Sequence, residues 1–326
     1  MDNHSSRPTS DCITPAPAPG AEDQIERSDP GDDPGDRGRF RARRDLLLFL
    51  VLVTLLSAPF MYAIGRTQAL ETPAGLLLVG PLMWAPAAAA ALVRLVTRQP
   101  LRSRRAHPRS RMLSSYLLPF AVAVPAYITA ISLGLVHVDA PPAAQWTAVI
   151  IASIVLNVVF VPGEEFGWRG FMVPRLVRSG LPRPLLLSGV IWGLWHLPLV
   201  VWGGLVLDGP SPWVSAVLLT VVCAAIGYVM ALLRLASGGA KVPIAFHVTW
   251  NVAFQALFEV AVVGDDEGLW LGEAGVLTTI TATVVSAWAC RASSPLRTSA
   301  AKRLELEERE NQTVLDRDPR PTTRTM

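Results

Sequence analysis

The sequence LLLFLVLVTLLSAPFMYAI, at residues 46–64, contains no charged side chain and directly follows a cluster of charged residues. An α-helix of about 20 apolar residues is long enough to cross the ~30 Å hydrocarbon core of a bilayer. Similar stretches recur as far as Cys290, and most charged residues lie in short clusters between them. We count eight predicted spans, at about residues 45–64, 74–96, 113–136, 147–163, 184–201, 213–235, 242–263 and 274–290.

The composition of the 326 residues agrees with this pattern. Hydrophobic residues make up 51%, charged residues only 17%, and the mean hydropathy is +0.38. A soluble protein is therefore excluded, and the sequence predicts an all-α, polytopic membrane helix bundle whose partner is the lipid bilayer. The basic residues collect beside the spans, where membrane orientation explains them, so we expect no nucleic-acid partner. Three cysteines without CxxC spacing argue against a disulfide framework or a thiolate metal site.

Three regions follow from the composition. Residues 1–44 are rich in Pro, Asp, Ser and Gly and poor in large apolar residues, which predicts a disordered cytoplasmic tail. Residues 45–290 form the predicted eight-span membrane domain. Residues 291–326 are rich in Arg, Glu and Thr and form a second predicted cytoplasmic tail.

The connections between spans alternate in charge. Loop 97–112, the segment after span four and loop 234–241 carry basic residues, whereas loops 137–146, 202–212 and 264–273 carry none. By the positive-inside rule, both termini lie in the cytoplasm. The Ala- and Arg-rich, lysine-poor composition favours a multi-pass protein of a bacterial plasma membrane.

Ionisable residues at membrane depth are costly and are functional candidates by default. Span four ends in GEEFGWRG, residues 163–170, where Glu165 and Arg169 are one helical turn apart and can pair. Glu164 is rotated by about 100° from Glu165 and would not share that partner equally. One carboxylate would thus be neutralised and the other left free to act as a base, although a purely structural ion pair at the helix end is an equally simple interpretation.

Two further clusters lie inside predicted spans. Span five contains WGLWHLP, residues 192–198, and span seven contains HVTWN, residues 247–251, in which His247 and Asn251 share one helix face. Taken singly, His196 and the His247–Asn251 pair can be packing groups that hydrogen-bond between helices. Together with the two carboxylates, they can activate water and stabilise an oxyanion, or they can bind one divalent metal ion.

The three clusters resemble, in order and spacing, the motifs of the CPBP family of CAAX prenyl protease-like and bacteriocin-processing membrane proteases, also called the Abi family. EEFGWRGFMVPRL resembles the EExxxR motif, WGLWHLP resembles FxxxH with Trp192 in place of Phe, and HVTWN matches HxxxN. The resemblance covers about residues 113–290. It implies an eight-helix bundle with a cavity open to the cytoplasm, and an endopeptidase that cleaves a peptide near the cytoplasmic membrane face.

The resemblance also implies roles for individual residues. Glu164 and His196 would activate the attacking water, and His247 and Asn251 would stabilise the tetrahedral oxyanion. Glu165 and Arg169 would be supporting residues that are structural or orient the substrate. The bulky Trp192 would be a third supporting residue. No GxSxG motif is present and no cysteine neighbours a motif, so covalent catalysis is not expected.

Several alternatives stay open at this point. The same residues Glu164, His196 and His247 could bind zinc in a metalloprotease, whereas the leading hypothesis requires no cofactor. A non-catalytic immunity or scaffold protein could keep the fold, and a transporter is suggested only by the span number and the intramembrane charges. The substrate would be a peptide or a membrane protein, and nothing in the sequence shows whether it is prenylated.

The charge alternation yields a testable topology. A reporter fused after Arg291 should register as cytoplasmic, because eight spans and cytoplasmic basic loops place both termini on the same side. Fusions of an alkaline phosphatase and of a fluorescent protein at this position measure the two locations. Phosphatase activity at this fusion would contradict the eight-span topology.

Overall fold

A computed structural model describes residues 34–68, 72–99, 109–205 and 211–292. The chain divides into two compact units, Met1–Arg37 and Gly38–Met326, and the description below concerns the second unit. The predicted tails lie outside the described residues except for residues 34–44 and 291–292. The helices are α1 (Pro34–Thr67), α2 (Pro73–Val96), α3 (Arg109–Ser132), α4 (Ala143–Gly167), α5 (Val173–Arg178), α6 (Pro184–Val201), α7 (Pro212–Ser237), α8 (Lys241–Asn251), α9 (Glu267–Trp270) and α10 (Val276–Ala292).

The predicted all-α membrane bundle is confirmed. By length and composition, six helical segments of the described residues can cross a membrane: α1, α2, α3, the continuous α4–α5 segment, α6 and α7. The eighth predicted span is the shorter apolar helix α10 of 17 residues. The seventh is α-helical only as far as Asn251, after which it becomes a π-helix (Val252–Phe258) and a short 3₁₀-helix (Glu259–Ala261).

The described residues contain two very short strands, β1 (His137–Val138) and β2 (Val262–Val263), which pair antiparallel. They connect the segment after α3 to the end of the seventh predicted span. Helix α3 ends four residues before the predicted boundary, because Gly134 adopts φ +69° and the amide of Leu135 donates to the carbonyl of Ala130.

The predicted amino-terminal tail is too long by eleven residues. Helix α1 begins at Pro34, so residues 34–44 are helical and not disordered. Asp36 in the first turn suits the helix dipole, and arginine is a strong helix former. Arg43 Nε also donates to the carbonyl of Ser179 at 3.0 Å, which ties this part of α1 to the end of α5.

Because successive spans alternate in direction, the bundle has two distinct ends. The end at which α1, α3, α6 and α8 begin is called the basic end. We call acidic end the opposite one, which carries the 262–275 segment with Asp265, Asp266, Glu267 and Glu273.

The basic end is closely packed. Phe49 of α1 meets Trp168 and Phe171, with ring centroids 5.5 and 5.2 Å apart. The guanidinium of Arg175 lies 3.3 Å from the centroid of the Phe171 ring, and its Nε is 3.7 Å from Asp45 Oδ2. Asp45 is only 4% exposed and Arg175 only 5%. A π-helical turn (Trp168–Met172) lies between α4 and α5. These contacts join α1, this turn and α5 into one closely packed layer at the basic end.

Two helix pairs pack through glycines. A Cβ at Gly167 would lie 2.3 Å from Pro86 Cβ, and one at Gly163 would lie 2.6 Å from the Met83 carbonyl oxygen, so α4 contacts α2 at backbone distance. Likewise, a Cβ at Gly189 of α6 would lie 2.4 Å from the Cys223 carbonyl oxygen of α7. Small residues four apart allow such close approach in membrane bundles. Gly163 and Gly167 directly flank Glu164 and Glu165, so their contact with α2 fixes the position of the helix that carries both glutamates.

This packing predicts different effects for two neighbouring glycines. Gly167→Ala should lower the stability of the bundle by about 1–3 kcal/mol, because the added methyl group overlaps backbone atoms of α2. Gly170→Ala is the matched control, since its Cβ would meet only the Glu165 carbonyl oxygen at an ordinary 3.5 Å. Thermal unfolding in detergent measures the difference, and equal midpoints for the two variants would contradict the close packing of α2 on α4.

Candidate active site

Glu164 and Glu165 are adjacent in the sequence but lie in different surroundings. Both are buried, with exposed fractions of 3% and 0%. Glu164 lines a cavity inside the bundle, whereas Glu165 is not among the residues that line it. The rotation of about 100° between consecutive helical residues is sufficient to separate the two carboxylates in this way.

Glu165 belongs to a buried charge cluster. Its Oε1 is 2.7 Å from Arg169 Nη1 and 2.9 Å from His247 Nδ1, and Arg169 is only 1% exposed. A buried charge must be compensated, because its desolvation penalty amounts to several kcal/mol. Two carboxylates against Arg169 leave one negative charge, and an imidazolium at His247 would bring the cluster to neutrality. The pairing of Glu165 with Arg169 is the one that their i, i+4 spacing indicated.

Trp192 connects the two carboxylate environments. Its indole Nε1–H donates to Glu164 Oε2 at 2.8 Å, and the Arg169 guanidinium carbon lies 4.1 Å from its ring centroid. Its ring also meets the edge of His247 at 5.2 Å. In the sequence, Trp192 was only a bulky aromatic residue in place of Phe. The structure adds a hydrogen bond that Phe cannot make.

His196 is held in one orientation by its own helix. Its Nδ1 lies 2.9 Å from the carbonyl oxygen of Trp192, one turn earlier. A carbonyl oxygen only accepts, so Nδ1 carries the hydrogen in this contact. In the neutral ring, Nε2 is then left as an acceptor. The ring is packed edge-on against Trp195 at 4.9 Å, and the residue lines the cavity.

Asn251 is joined to a residue that sequence reasoning missed. Its Nδ2 donates to Asn157 Oδ1 at 2.7 Å, and Asn157 in turn donates to the Ser153 carbonyl oxygen at 2.9 Å. Ser153, Asn157 and Glu164 occupy positions i, i+4 and i+11 of α4, which place them on one helix face. The spacing of these polar residues within an apolar span was the sequence signal that could have identified Asn157.

The arrangement constrains the expected oxyanion donors. His247 Nδ1 faces Glu165, so an N–H toward the cavity must come from Nε2, which is protonated together with Nδ1 only in the imidazolium. Asn251 Nδ2 carries a second hydrogen besides the one donated to Asn157, and both residues line the cavity. Two donors can therefore reach a substrate in the cavity, one of them with Glu165 as its counterion.

The cavity has a volume of about 770 Å³ and extends from the motif residues toward the acidic end. Its walls come from α2, α3, α4, α6, residues 204–205, α7, α8 and the 252–274 segment. Three acidic residues that the motifs did not indicate line its far part: Glu259, Glu267 and Glu273. Desolvation raises the pKa of the half-buried Glu273.

Zinc was an alternative use of Glu164, His196 and His247. Among the described residues, no three His, Cys, Asp or Glu side chains are grouped so that they could hold one metal ion. His247 already contacts Glu165, and Glu164 already accepts a hydrogen bond from Trp192. The residues as arranged do not fit a zinc site, and no catalytic step is derived through a metal.

Comparison with known proteins gives one positive result. Residues 145–253 match the family model of the type II CAAX prenyl endopeptidase Rce1-like family. The matched segment contains all three motifs, from Glu164 to Asn251. A search with the chain against curated proteins found no significant match. With its motif residues gathered in a helical membrane bundle, the chain is similar over residues 145–253 to the type II CAAX prenyl endopeptidase Rce1-like family, and this match supports its assignment to the CPBP family.

Proposed function

We propose that this protein is an intramembrane endopeptidase in which Glu164 and His196 activate water. The similarity to this family implies a peptidase with a peptide or protein substrate in a bilayer environment. The observation that carries the finer proposal is the division between the carboxylates. Glu165 is enclosed between Arg169 and His247, whereas Glu164 faces the cavity beside His196.

The reaction uses only side chains of this chain. A water molecule beside Glu164 donates a hydrogen bond to His196 Nε2 and transfers a proton to the Glu164 carboxylate as it attacks the scissile carbonyl carbon. The carbonyl oxygen becomes an oxyanion, which accepts hydrogen bonds from Asn251 Nδ2 and from the imidazolium Nε2 of His247. Collapse of the tetrahedral intermediate breaks the C–N bond, and protonated Glu164 returns the proton to the leaving amine.

The depth of cleavage stays a prediction. Six residues of α8, or about 9 Å, separate His247 from the start of this helix at the basic end. His196 is twelve residues, or about 18 Å, from the start of α6. A peptide bond held between them would thus be cleaved inside the membrane, on the side of the basic end or near the middle.

One prediction of this mechanism separates the two carboxylates. Glu164→Gln should reduce turnover by roughly 10²–10⁴-fold with normal protein yield, because it keeps the acceptor for Trp192 but removes the base. Glu165→Gln should lower the yield and stability by about 3–5 kcal/mol, because Arg169 would lose its buried counterion. Cleavage rates normalised to the amount of purified protein measure both effects.

The outcome that contradicts the assignment is specific. If Glu165→Gln were inactive per molecule while Glu164→Gln kept nearly wild-type turnover, the roles of the two carboxylates would be reversed. Comparative membrane proteomics of cells with wild type or Glu164→Ala supplies the substrate for this assay. Wild-type cells should contain cleaved products that the variant lacks, and identical proteomes would favour a non-catalytic immunity or scaffold role.

Another prediction of this mechanism concerns the hydrogen bond from Trp192 to Glu164. Trp192→Phe keeps an aromatic ring over Arg169 but removes the hydrogen bond to Glu164. A hydrogen bond to a charged group contributes about 1.5–3 kcal/mol, so kcat should fall by roughly 10–100-fold if this bond positions the base. KM should be unchanged, because the indole N–H is already engaged by Glu164.

Trp195→Phe is the matched control for this experiment. The Trp195 indole N–H donates to Ser57 Oγ at 3.0 Å and not to a motif residue, so its loss should leave kcat nearly unchanged. Equal kcat values for wild type and Trp192→Phe would show that the hydrogen bond to Glu164 is not needed to position the base.

The zinc alternative has its own test. The metal content of the purified protein, measured together with activity in a strong chelator, separates a glutamate mechanism from a metallopeptidase. The proposed mechanism predicts full activity in chelator. Loss of activity that stoichiometric zinc restores would support the alternative.

A further inference from the structure

Two asparagines inside the bundle are hydrogen-bonded to each other. The sequence has four asparagines, and Asn157 and Asn251 are the two that lie among the described residues. They are 8% and 7% exposed, both line the cavity, and Asn251 Nδ2 donates to Asn157 Oδ1 at 2.7 Å. This bond joins α8 to α4. A buried amide is costly unless it is hydrogen-bonded, so each residue needs a partner at this depth.

The amide of Asn157 is held in one orientation by its own helix. Its Nδ2 lies 2.9 Å from the Ser153 carbonyl oxygen and 3.2 Å from Ser153 Oγ. An amide nitrogen only donates and an amide oxygen only accepts. A reversed amide would bring two acceptor oxygens together at the Ser153 carbonyl, so Nδ2 is fixed on the Ser153 side. Asn157 Oδ1 is therefore the atom that faces α8.

The orientation of Asn157 determines that of Asn251. Because Asn157 Oδ1 is an acceptor, Asn251 must place Nδ2, and not its own oxygen, against it. One Nδ2 hydrogen makes this bond, and the second is the one that can donate to a ligand in the cavity that Asn251 lines. If the Asn251 amide were reversed, Oδ1 would take the place of Nδ2 and could not donate to an oxyanion. The Ser153 carbonyl thus orients both amides in turn.

The other candidate oxyanion donor is oriented in the same way. His247 Nδ1 is 2.9 Å from Glu165 Oε1, so a side chain of α4 also sets which nitrogen of this α8 residue is turned away from the cavity. Each of the two donors on α8 thus has an acceptor on α4, which is Glu165 for His247 and Asn157 for Asn251. The motif residue Glu165 therefore has a counterpart outside the motifs.

We propose that Asn157 is a positioning residue, which acts by holding the Asn251 amide with Nδ2 available to the oxyanion. This inference rests on the proposed function, in which Asn251 donates to the tetrahedral intermediate. Preorganised donors stabilise a transition state because they need no reorientation as charge develops. The donor group of Asn157 is directed to Ser153. Its contribution to turnover should therefore appear only while Asn251 is present.

Turnover of variants of the full-length chain tests this dependence. The substrate is the one identified by comparing wild-type and Glu164→Ala membranes. Asn251→Ala should lower kcat by roughly 10²–10³-fold, as expected for one oxyanion donor. Asn157→Leu, nearly isosteric but without an acceptor, should lower kcat by about 10–100-fold with KM unchanged, because the lost interaction is made only in the transition state. In the Asn251→Ala background, Asn157→Leu should change kcat by no more than about twofold.

Two further variants separate positioning from stability. Asn157→Ala also removes the acceptor but leaves a smaller side chain, so it serves where leucine disturbs the packing of α4. Trp84→Phe is the matched control, because the Trp84 indole N–H donates to the Val159 carbonyl oxygen at 3.2 Å and so joins α2 to α4 close to Asn157. It removes an interhelical hydrogen bond, but Trp84 is not among the residues that line the cavity. Its kcat should equal that of the wild type.

A measurement without substrate reports the bond itself. The full-length chain in detergent is labelled with ¹⁵N-asparagine, which gives side-chain amide signals for only four residues. Asn157→Leu and Asn251→Ala each delete one pair of these signals, which assigns them. A hydrogen bond deshields its proton, so the bonded Asn251 Nδ2 hydrogen should shift upfield in Asn157→Leu and keep its position in Trp84→Phe.

Each contrary result overturns the inference. Wild-type kcat in Asn157→Leu would show that Asn251 needs no positioning. Losses that multiply in the double variant, or a raised KM with unchanged kcat, would show that Asn157 does not act through Asn251. An unshifted Asn251 signal would show that the bond does not hold the amide. Unfolding of both Asn157 variants would assign the contact to folding alone.

The proposed function fails by a different result. Nearly wild-type turnover of Glu164→Gln would overturn the mechanism whatever the asparagine variants do, and the amide signals would still report the bond between Asn157 and Asn251. An inactive Glu164→Gln variant together with multiplying effects of the two asparagine substitutions would overturn only the positioning role of Asn157.

Discussion

Compensation of buried charge is the constraint on which this bundle depends. Arg169 and Glu165 are almost completely buried, and each compensates the charge of the other at this depth. The ion pair lies within one helix, but His247 adds α8 to it and the Trp192 ring adds α6. Three helices are thereby fixed around one small cluster. The glycines of α4 and α6 allow their neighbours to approach closely enough to enclose it.

The same cluster separates the surroundings of Glu165 from those of Glu164. Two partners engage Glu165 on one oxygen, whereas Glu164 accepts a hydrogen bond from Trp192 and faces the cavity. A base needs an unpaired carboxylate that water can reach, and an adjacent ion pair is the means of keeping an arginine away from it. In the proposed mechanism the two glutamates are therefore not redundant, since Glu165 would secure the geometry in which Glu164 reacts.

Much of this was predictable because membrane physics leaves few choices. Apolar length predicted the helices and the EExxxR spacing predicted the Glu165–Arg169 pair. Other features depend on tertiary contacts that local pattern does not encode. The link from Asn251 to Asn157 joins α8 to α4, and the bond from Trp192 to Glu164 joins α6 to α4. Composition also misplaced the start of α1, because residues 34–44 were grouped with the Pro-, Asp-, Ser- and Gly-rich tail although their arginines are good helix formers outside the bilayer.

The position of the cavity follows from how charge and packing are distributed along the bundle. At the basic end, Asp45 and Arg175 are buried together, and the Phe171 ring packs against the Arg175 guanidinium. At the acidic end, the seventh predicted span leaves α-helical geometry after Asn251, and the 252–274 segment lines a cavity instead of filling it. Hydrolysis needs water at Glu164, and a carboxylate in mid-membrane can be solvated only through such a cavity. In the proposed mechanism, the change from α- to π-helix directly after the HxxxN motif would thus help to leave room for water beside the motif.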